Sequence, residues 1–247
     1  MTSEKKNRDI ADNHKIILCI ESATGVCSVA VCDRDGVIAI RESGDERAHS
    51  RLLAVYVNEV LEEAGMKVSG LAAVAVSRGP GSYTGLRIGV SLAKGLTYGA
   101  GIPLISVDTM TSMYHSLLLR QPELSSPGPE TVFCPMIDAR RMEVYHSLAD
   151  AGGKVLSGPE ATVVDGESFR DLLEKGKVIF FGNGAAKCRE VITHHNAIFI
   201  DDIHPSAAAM RAQAFEALDK KSFEDVAYFE PYYLKDFLAT IPKKLIP

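Results

Sequence analysis

The pattern of hydrophobic and polar residues divides the start of the chain into short apolar runs and polar turns. The turns at 21–25 and 33–36 are rich in Gly, Ser, Thr and Asp, while Ile, Val, Ala and Cys dominate the runs beside them. Short apolar runs bounded by turn residues are typical of buried strands. The pattern therefore predicts a meander of three strands, at 15–20, 26–31 and 37–40.

A helix is predicted at 51–64, where Ser50 is an N-cap residue and Gly65 ends the pattern. Packing on one sheet requires an apolar stripe of roughly 100°. Apolar side chains instead cover well over half of this helix, at Leu52, Leu53, Val55, Tyr56, Val57, Val60 and Leu61. The surplus is covered either by another helix of this chain or by a partner, and both alternatives stay open.

The most distinctive stretch follows, with the sequence GPGSYTG at 79–85. It is not a Walker A motif, because Leu86 and Arg87 stand where that motif needs Lys and Ser or Thr. It is not a dinucleotide-binding fingerprint either, because the third Gly of the stretch comes one residue too late. We interpret it as a tight strand-to-helix connection in which Thr84 caps the helix. The pattern predicts a parallel βαβ unit, with a strand at 71–76, a helix at 85–98 and a strand at 102–107.

The helix at 85–98 has two different sides. Gly85, Gly89 and Ala93 lie along one of them, spaced by four residues. Because a Gly inside a helix costs about 1 kcal/mol relative to Ala, this side is predicted to meet another backbone at close range. The opposite side is free to meet something else, and carries Arg87, Ser91, Lys94 and Tyr98.

The second half of the chain repeats the opening pattern of strand, acidic residue, turn and strand. We interpret this as a degenerate internal duplication. It predicts strands at 132–137, 143–148, 154–156 and 178–181, helices at 168–175, 186–194 and 206–219, and a strap across the body from 223 onward. A further helix is predicted at 109–119, and the three prolines at 121–130 indicate a linker after it. The predicted division is therefore a disordered tail at 1–14, an N-terminal domain at 15–120, a linker at 121–130 and a C-terminal domain with tail at 131–247.

Composition excludes several classes of protein. Of the 247 residues, 46% are hydrophobic and 24% charged, as in ordinary globular proteins. The net charge of −5 argues against attraction to nucleic acid over the whole surface, but leaves a local basic site open. No apolar run is long enough for a membrane span and residues 1–14 lack an apolar signal core, so the expected location is the cytoplasm. The five cysteines form no C-x-x-C pair and are predicted to be buried free thiols.

Motifs for hydrolytic chemistry are missing from the sequence. The seven histidines form neither H-x-x-x-H nor H-E-x-x-H, and the adjacent His194 and His195 would point to different sides of a helix. Ser82 lacks the Gly two positions later that G-x-S-x-G requires. We therefore expect no metal site and no serine nucleophile.

Five segments together resemble the TsaB family, also called YeaZ: HSRLL, GPGSYTGLRIGV, DARRMEVY, GNGA and PYYLKD. The likeness extends from Lys15 to Asp236. It implies an α/β protein with the actin-like ATPase fold, built from two ribonuclease H-like subdomains of which the second is smaller and degenerate. The duplicated meander agrees with that plan.

The resemblance also implies a role. Proteins of this family are non-catalytic subunits required to form threonylcarbamoyladenosine on tRNAs that read codons starting with A. The implied partners are a TsaD-like catalytic subunit, a TsaE-like ATPase and tRNA held by the complex; alone, the chain is expected to be a homodimer, and no membrane is involved. Pairing in the family uses two helices of the N-terminal half, which implies a partner surface at Leu52, Val55, Tyr56, Glu59, Leu86, Arg87, Val90 and Lys94.

A nucleotide site is the second implication of the wider fold, whose ATP-using members hold phosphate and magnesium with an acidic residue at the end of each first strand. Glu21 and Asp138 occupy those positions, and Gly182 and Gly184 resemble the turn that holds adenosine. Either ATP or ADP with magnesium binds here, or the carboxylates accept backbone N–H bonds in turns. We favour the turn interpretation and assign no cofactor, because Glu21 is longer than the Asp common at that place.

Two other functions are weighed against the partner role. A stand-alone actin-fold ATPase or kinase would need a closing insert and a firm phosphate turn, and an M22-type glycoprotease-like peptidase would need a metal or nucleophile site. Arg140 and Arg141 could contact RNA phosphate. Exposed arginines are common, however, so we interpret this pair as solvated.

Overall fold

The computed structural model describes residues 15–44, 49–128 and 130–235, which form two mixed five-stranded sheets. The strands of the first sheet are β1 (Ile17–Glu21), β2 (Cys27–Cys32), β3 (Val37–Ser43), β4 (Ala73–Gly79) and β5 (Leu104–Asp108). Their order is β3-β2-β1-β4-β5, with β2 antiparallel to both neighbours and β1, β4 and β5 parallel. The predicted meander and the parallel βαβ unit are both confirmed.

Two long helices, α1 (His49–Glu63) and α2 (Tyr83–Ala100), share one hydrophobic core with the first sheet. Leu53 and Val57 of α1 are buried there together with Val90 of α2. Both helices lie where the apolar periodicity predicts them, each starting two residues early. The helices also contact each other, so α2 covers part of the apolar surplus of α1.

The second sheet repeats the arrangement of the first. Its strands are β6 (Val132–Asp138), β7 (Glu143–Ala149), β8 (Val155–Val163), β9 (Val178–Phe181) and β10 (Ala197–Ile200). The order is β10-β9-β6-β7-β8, with β7 antiparallel to its neighbours. This half contains less helix, because the one-turn helix α4 (Arg170–Leu173) and a 3₁₀ turn at Ala186–Cys188 stand where the first half has α1 and α2. The α/β fold with two ribonuclease H-like subdomains is confirmed.

The predicted helix at 186–194 is wrong. Only the 3₁₀ turn at Ala186–Cys188 forms, and strand β10, which was not predicted, follows it. The β-branched Val191, Ile192 and Thr193 have low helix propensity, and the backbone turns back through a 3.1 Å bond from Val191 N to Cys188 O. The predicted helix at 168–175 is likewise reduced to α4, and the predicted strand at 154–156 extends to the end of β8.

Each sheet is also covered by a helix from the other half of the chain. Helix α3 (Thr109–Arg120) buries Met113 and Leu117 against the second sheet. Helix α5 (Arg211–Lys220), which a 3₁₀ turn at Ala207–Met210 precedes, buries Phe215 against the first sheet. A helix from each side of the predicted division at 121–130 thus packs on the sheet of the other side, and the division itself stays a prediction.

Residues 223–235 run across the first sheet and α2, as the predicted strap would. Glu224 N donates to Leu104 O at 2.9 Å, and Val226 and Phe229 join the core beneath the helices. Farther along, Tyr232 N donates to Arg78 O, near the end of β4, at 2.7 Å. The predicted tail at 1–14 and the end of the strap at 236–247 lie outside the described residues.

Candidate functional site

The turn 79–85 joins β4 to α2 at the carboxyl end of the parallel strands. Ser82 is the N-cap, and its Oγ accepts a hydrogen bond from Gly85 N at 3.2 Å. Capping by Thr84 is a wrong prediction, because α2 begins at Tyr83 and includes Thr84 in its first turn. Ser82 N also donates to Ala23 O at 2.7 Å, which ties the turn to the residues after β1.

The glycines of this segment pack against those same residues. An added β-carbon would lie 2.2 Å from Ala23 O at Gly81, 2.2 Å from Ser22 O at Gly85 and 2.1 Å from Ser22 Oγ at Gly89. Real β-carbons do not tolerate such distances, so the prediction that this side of the helix meets another backbone is confirmed. Close packing accounts for the glycines without a phosphate.

Glu21, the last residue of β1, is completely buried. Its Oε1 accepts a hydrogen bond from Ala23 N at 2.7 Å, and its Oε2 has no hydrogen-bond partner among the described residues. Desolvation raises the pKa of Glu21 to about 7, although the hydrogen bond from Ala23 N opposes that rise. A carboxyl group held in this way does not reach a ligand in solvent.

Asp138, the last residue of β6, is exposed but already engaged. Its carboxylate pairs with Lys187 and accepts a hydrogen bond from Arg140 N at 2.8 Å. Asp138 N donates to Asn183 Oδ1 at 3.1 Å, and Lys187 also donates to Glu143 O at 2.6 Å. Both contacts of the Asp138 carboxylate are made by Oδ1, and the ammonium group of Lys187 neutralises the carboxylate, which weakens its attraction for a magnesium ion.

Gly182 and Gly184 lie beside Asp138, and both are packed against backbone. Gly182 has a φ of +98°, and a β-carbon there would lie 2.4 Å from Met136 O. A β-carbon on Gly184 would lie 2.8 Å from the carbonyl carbon of Ile137. The structure thus brings these two glycines together with Asp138, while Glu21 lies in the other sheet with contacts of its own.

The predicted partner residues of α1 do reach the surface. Val55 is 44% exposed, and Leu52 and Tyr56 are half-buried. Glu59 is also half-buried, and its carboxylate accepts a hydrogen bond from Arg41 Nε of the edge strand β3 at 2.8 Å. The outer side of α1 is therefore an apolar surface with an ion pair beside it.

Two of the predicted partner residues of α2 do not reach the surface. Leu86 and Val90 are buried in the core of this chain, so neither is available to a partner. Ile88 and Leu92 lie two positions later, which turns each of them by about 200° to the other side of the helix. Both are half-buried, and both pack against the core that α1 and α2 share.

Arg87 and Lys94 contact the C-terminal segment of their own chain. The Arg87 guanidinium lies 4.5 Å from the Tyr83 ring centroid, and a hydrogen bond with Tyr233 raises the pKa of Arg87. Lys94 Nζ donates to Ala227 O at 3.2 Å and to Phe229 O at 3.0 Å. Sequence reasoning missed this contact: the aromatic-rich segment indicates a strap, but no local pattern says where it lies.

The cysteines and the adjacent histidines lie as follows. All five cysteines are buried and free, as predicted. His194 and His195 do not point to different sides of a helix; their ring centroids are 4.3 Å apart, because no helix forms there. Within 15–44, 49–128 and 130–235, no three His, Cys, Asp or Glu side chains are grouped as metal ligands, and no helix is both long and apolar enough to span a membrane.

Comparison with known proteins supplies relatives over most of the sequence. A family model described as TsaD: tRNA N6-adenosine threonylcarbamoyltransferase matches residues 43–243. The tRNA threonylcarbamoyladenosine biosynthesis protein TsaB of Escherichia coli K12 is 30% identical over 230 residues, which cover 90% of this chain and 96% of that protein. The TsaB protein of Haemophilus influenzae is 34% identical over 131 residues, 53% of this chain and 52% of that protein.

Solved structures agree on the fold. YeaZ from Pseudomonas aeruginosa superposes with a TM-score of 0.71 at 22% identity, covering 89% of this chain and all of that chain. At this identity the superposition shows a shared fold. The family model and the nearly full-length match to the Escherichia coli protein show more than that: the chain belongs to the TsaB (YeaZ) family.

Proposed function

We propose that the chain acts in the biosynthesis of threonylcarbamoyladenosine in tRNA, as a non-catalytic partner of a TsaD-type subunit. One observation carries the proposal: the match to Escherichia coli TsaB, a protein named for this pathway, spans 96% of that protein. The tRNAs concerned are those that read codons starting with A. The helix pair α1 and α2 supplies a surface that suits such a partner.

The proposed pairing surface is the outer side of these helices. It combines Leu52, Val55 and Tyr56 of α1 with Ile88 and Leu92 of α2, all of them apolar and at least partly exposed. Apolar side chains clustered on adjoining helices and bordered by an ion pair are the usual composition of a protein interface. Burying them against a partner removes apolar surface from water at about 25 cal/mol per Å².

A substitution at Val55 tests this surface. Val55→Asp places a charge in the middle of the proposed interface, and Leu119→Asp places the same charge at an apolar position of α3 that is 63% exposed. Size exclusion with light scattering, on each variant mixed with the TsaD-type subunit of the same organism, is expected to show pairing for Leu119→Asp and none for Val55→Asp. Normal pairing by a folded Val55→Asp variant would rule this surface out.

The reaction itself is tested in a reconstituted mixture. The chain alone is expected to leave tRNA unmodified. The mixture with the TsaD-type subunit and a TsaE-type ATPase, supplied with ATP and an activated threonylcarbamoyl donor, is expected to form threonylcarbamoyladenosine only when this chain is present. Activity of the other components without it would overturn the proposal. The same surface forms a homodimer when the chain is alone, and the work on tRNA is done in the cytoplasm.

We further propose that Glu21, Asp138, Gly182 and Gly184 have structural roles and do not bind ATP or ADP with magnesium. Support comes from the burial of Glu21, from the ion pair of Asp138 with Lys187 and from the packing of both glycines. These residues do not fit a magnesium nucleotide as they stand. Calorimetry with ATP and magnesium tests this: micromolar binding that Glu21→Ala abolishes would contradict it.

A further inference from the structure

Arg140 and Arg141 form the tip of the hairpin between β6 and β7, and both have a left-handed backbone. Their φ angles are +72° and +51°. Glu143 N donates to Arg140 O at 3.0 Å, and the Asp138 carboxylate accepts from Arg140 N at 2.8 Å, so the conformation is fixed by the turn. For a residue other than Gly, this region of φ and ψ costs about 1 to 2 kcal/mol.

The turn does not explain why arginine stands at these positions. Gly and Asn adopt left-handed angles with less strain, and they are the residues that tight hairpins normally use. Both arginines are exposed, and neither forms a salt bridge with a described residue. Backbone strain that is kept for the sake of an exposed side chain indicates that the side chain has a use outside the fold.

Nearby carboxylates do not neutralise this pair. Asp138 is engaged by Lys187, and Glu143 by Lys235 of the C-terminal segment. Asp165, which follows β8 at the same end of the sheet, accepts hydrogen bonds from Glu167 N and Ser168. Of these three carboxylates only Asp138 and Glu143 are paired with a cation, while Asp165 keeps its charge. The four cationic side chains of this end therefore exceed the three carboxylates by one positive charge. The cationic side chains gathered here are Arg140, Arg141, Lys187 and Lys235.

We propose that this basic hairpin tip contacts phosphate groups of tRNA. The inference rests on the proposed function, which brings the chain to tRNA. Guanidinium groups bind phosphate through two parallel N–H donors, and phosphate contacts make up a large share of protein contacts with nucleic acid. Because the chain carries a net charge of −5, RNA approaches it favourably only at a local basic site such as this one.

The decisive variant is the double substitution Arg140→Gly with Arg141→Gly, which keeps the left-handed turn and removes both charges. It is compared with Lys175→Gln with Lys177→Gln, which removes two exposed charges beside the start of β9, at the opposite end of the same sheet. Each is measured in complex with the TsaD-type subunit, by fluorescence anisotropy with labelled tRNA over a range of salt concentrations. Thermal unfolding of each chain alone completes the comparison.

The glycine variant is expected to bind tRNA more weakly at every salt concentration, to lower the slope of log affinity against log salt by about 2, and to unfold at an equal or higher temperature. The lysine control is expected to match the unaltered complex. Equal tRNA affinity in the glycine variant and in this control would overturn the inference. Loss of pairing with the TsaD-type subunit would also overturn it, since the hairpin would then contact that protein.

The two proposals fail in different ways. An unaltered chain that neither pairs with the TsaD-type subunit nor supports modification refutes the proposed function. An unaltered complex that is active, with a glycine variant that binds tRNA just as well, refutes only the role of Arg140 and Arg141.

Discussion

Gly85 packs so closely on Ser22 that a β-carbon at Gly85 would lie 2.2 Å from the Ser22 carbonyl oxygen. Because that oxygen belongs to the backbone that follows β1, it cannot move aside without disturbing the sheet. Gly85→Ala is therefore expected to lower the free energy of unfolding by about 1 to 3 kcal/mol, as overpacking of a core does. Urea denaturation of the purified variant measures this loss.

Gly95→Ala is the matched control, on the same helix. An added β-carbon at Gly95 meets no atom within 4 Å. This substitution is expected to raise the free energy of unfolding by up to about 1 kcal/mol, the difference in helix propensity between the two residues. If both alanine variants changed stability in the same direction, contact with Ser22 would not be the cause.

The pKa of Glu21 predicts how stability depends on pH. Burial raises the pKa from 4.5 in the unfolded chain to about 7 in the folded one, so the folded state binds the proton more tightly. The stability linked to this group is fully present below pH 4.5 and is lost as pH rises through 7. Between pH 5 and 8 the loss is about 2 to 3 kcal/mol.

Glu21→Gln is expected to flatten that decline, because the amide does not ionise. The comparison is urea denaturation at pH 5 and pH 8 for the unaltered chain, for Glu21→Gln and for Glu62→Gln, which alters an exposed carboxylate on α1. Only the Glu21 variant is expected to differ. An equally steep decline in Glu21→Gln would show that another group titrates.

Lys94 fixes the C-terminal segment on α2 through its bonds to Ala227 O and Phe229 O. Lys94→Met keeps the aliphatic stem but removes the donors, so the amides of residues 223–235 are expected to exchange with deuterium several-fold faster. Global stability is expected to fall by no more than about 1 to 2 kcal/mol, the contribution of one or two hydrogen bonds. Exchange as slow as in Lys154→Met, an exposed lysine elsewhere, would contradict this role.

Leu86 separates a folding defect from a pairing defect. It is completely buried, so Leu86→Asp is expected to cost more than about 3 kcal/mol and to leave the chain largely unfolded. Val55→Asp, at an exposed position, is expected to leave thermal unfolding within a few degrees of the unaltered chain. A cooperative, native-like melt of Leu86→Asp would mean that this side of α2 is not in the core.

Sequence periodicity predicts the elements that depend on local pattern. The βαβ unit and both long helices lie within a few residues of their predicted bounds, and the spacing of Gly85 and Gly89 predicts their close contact correctly. The same helical periodicity predicts that Arg87 and Tyr98 lie on the outer side of α2, and both are exposed in the structure. Leu86 and Val90 are chosen wrongly, because apolar residues beside the glycine row belong to the core.

Long-range contacts are what the sequence does not contain. Nothing near Lys94 indicates that carbonyl groups more than 130 residues later accept its hydrogen bonds. The basic hairpin tip is similar: DARRMEVY shows two arginines, but their left-handed backbone and the engagement of Asp138 by Lys187 appear only in three dimensions. Because of these two observations, we propose that the arginines contact tRNA phosphate, whereas the sequence alone favours solvated side chains.

The exchange of helices between the two sheets has a consequence for how the chain is made. The first sheet, whose β1 contains Ile17, stays open on one face until Phe215 of α5 arrives. Phe215 is synthesised about 200 residues after Ile17, so the first half of the chain leaves the ribosome with an uncovered apolar face. The first sheet therefore completes its folding only once α5 is available, and either half expressed alone is expected to aggregate.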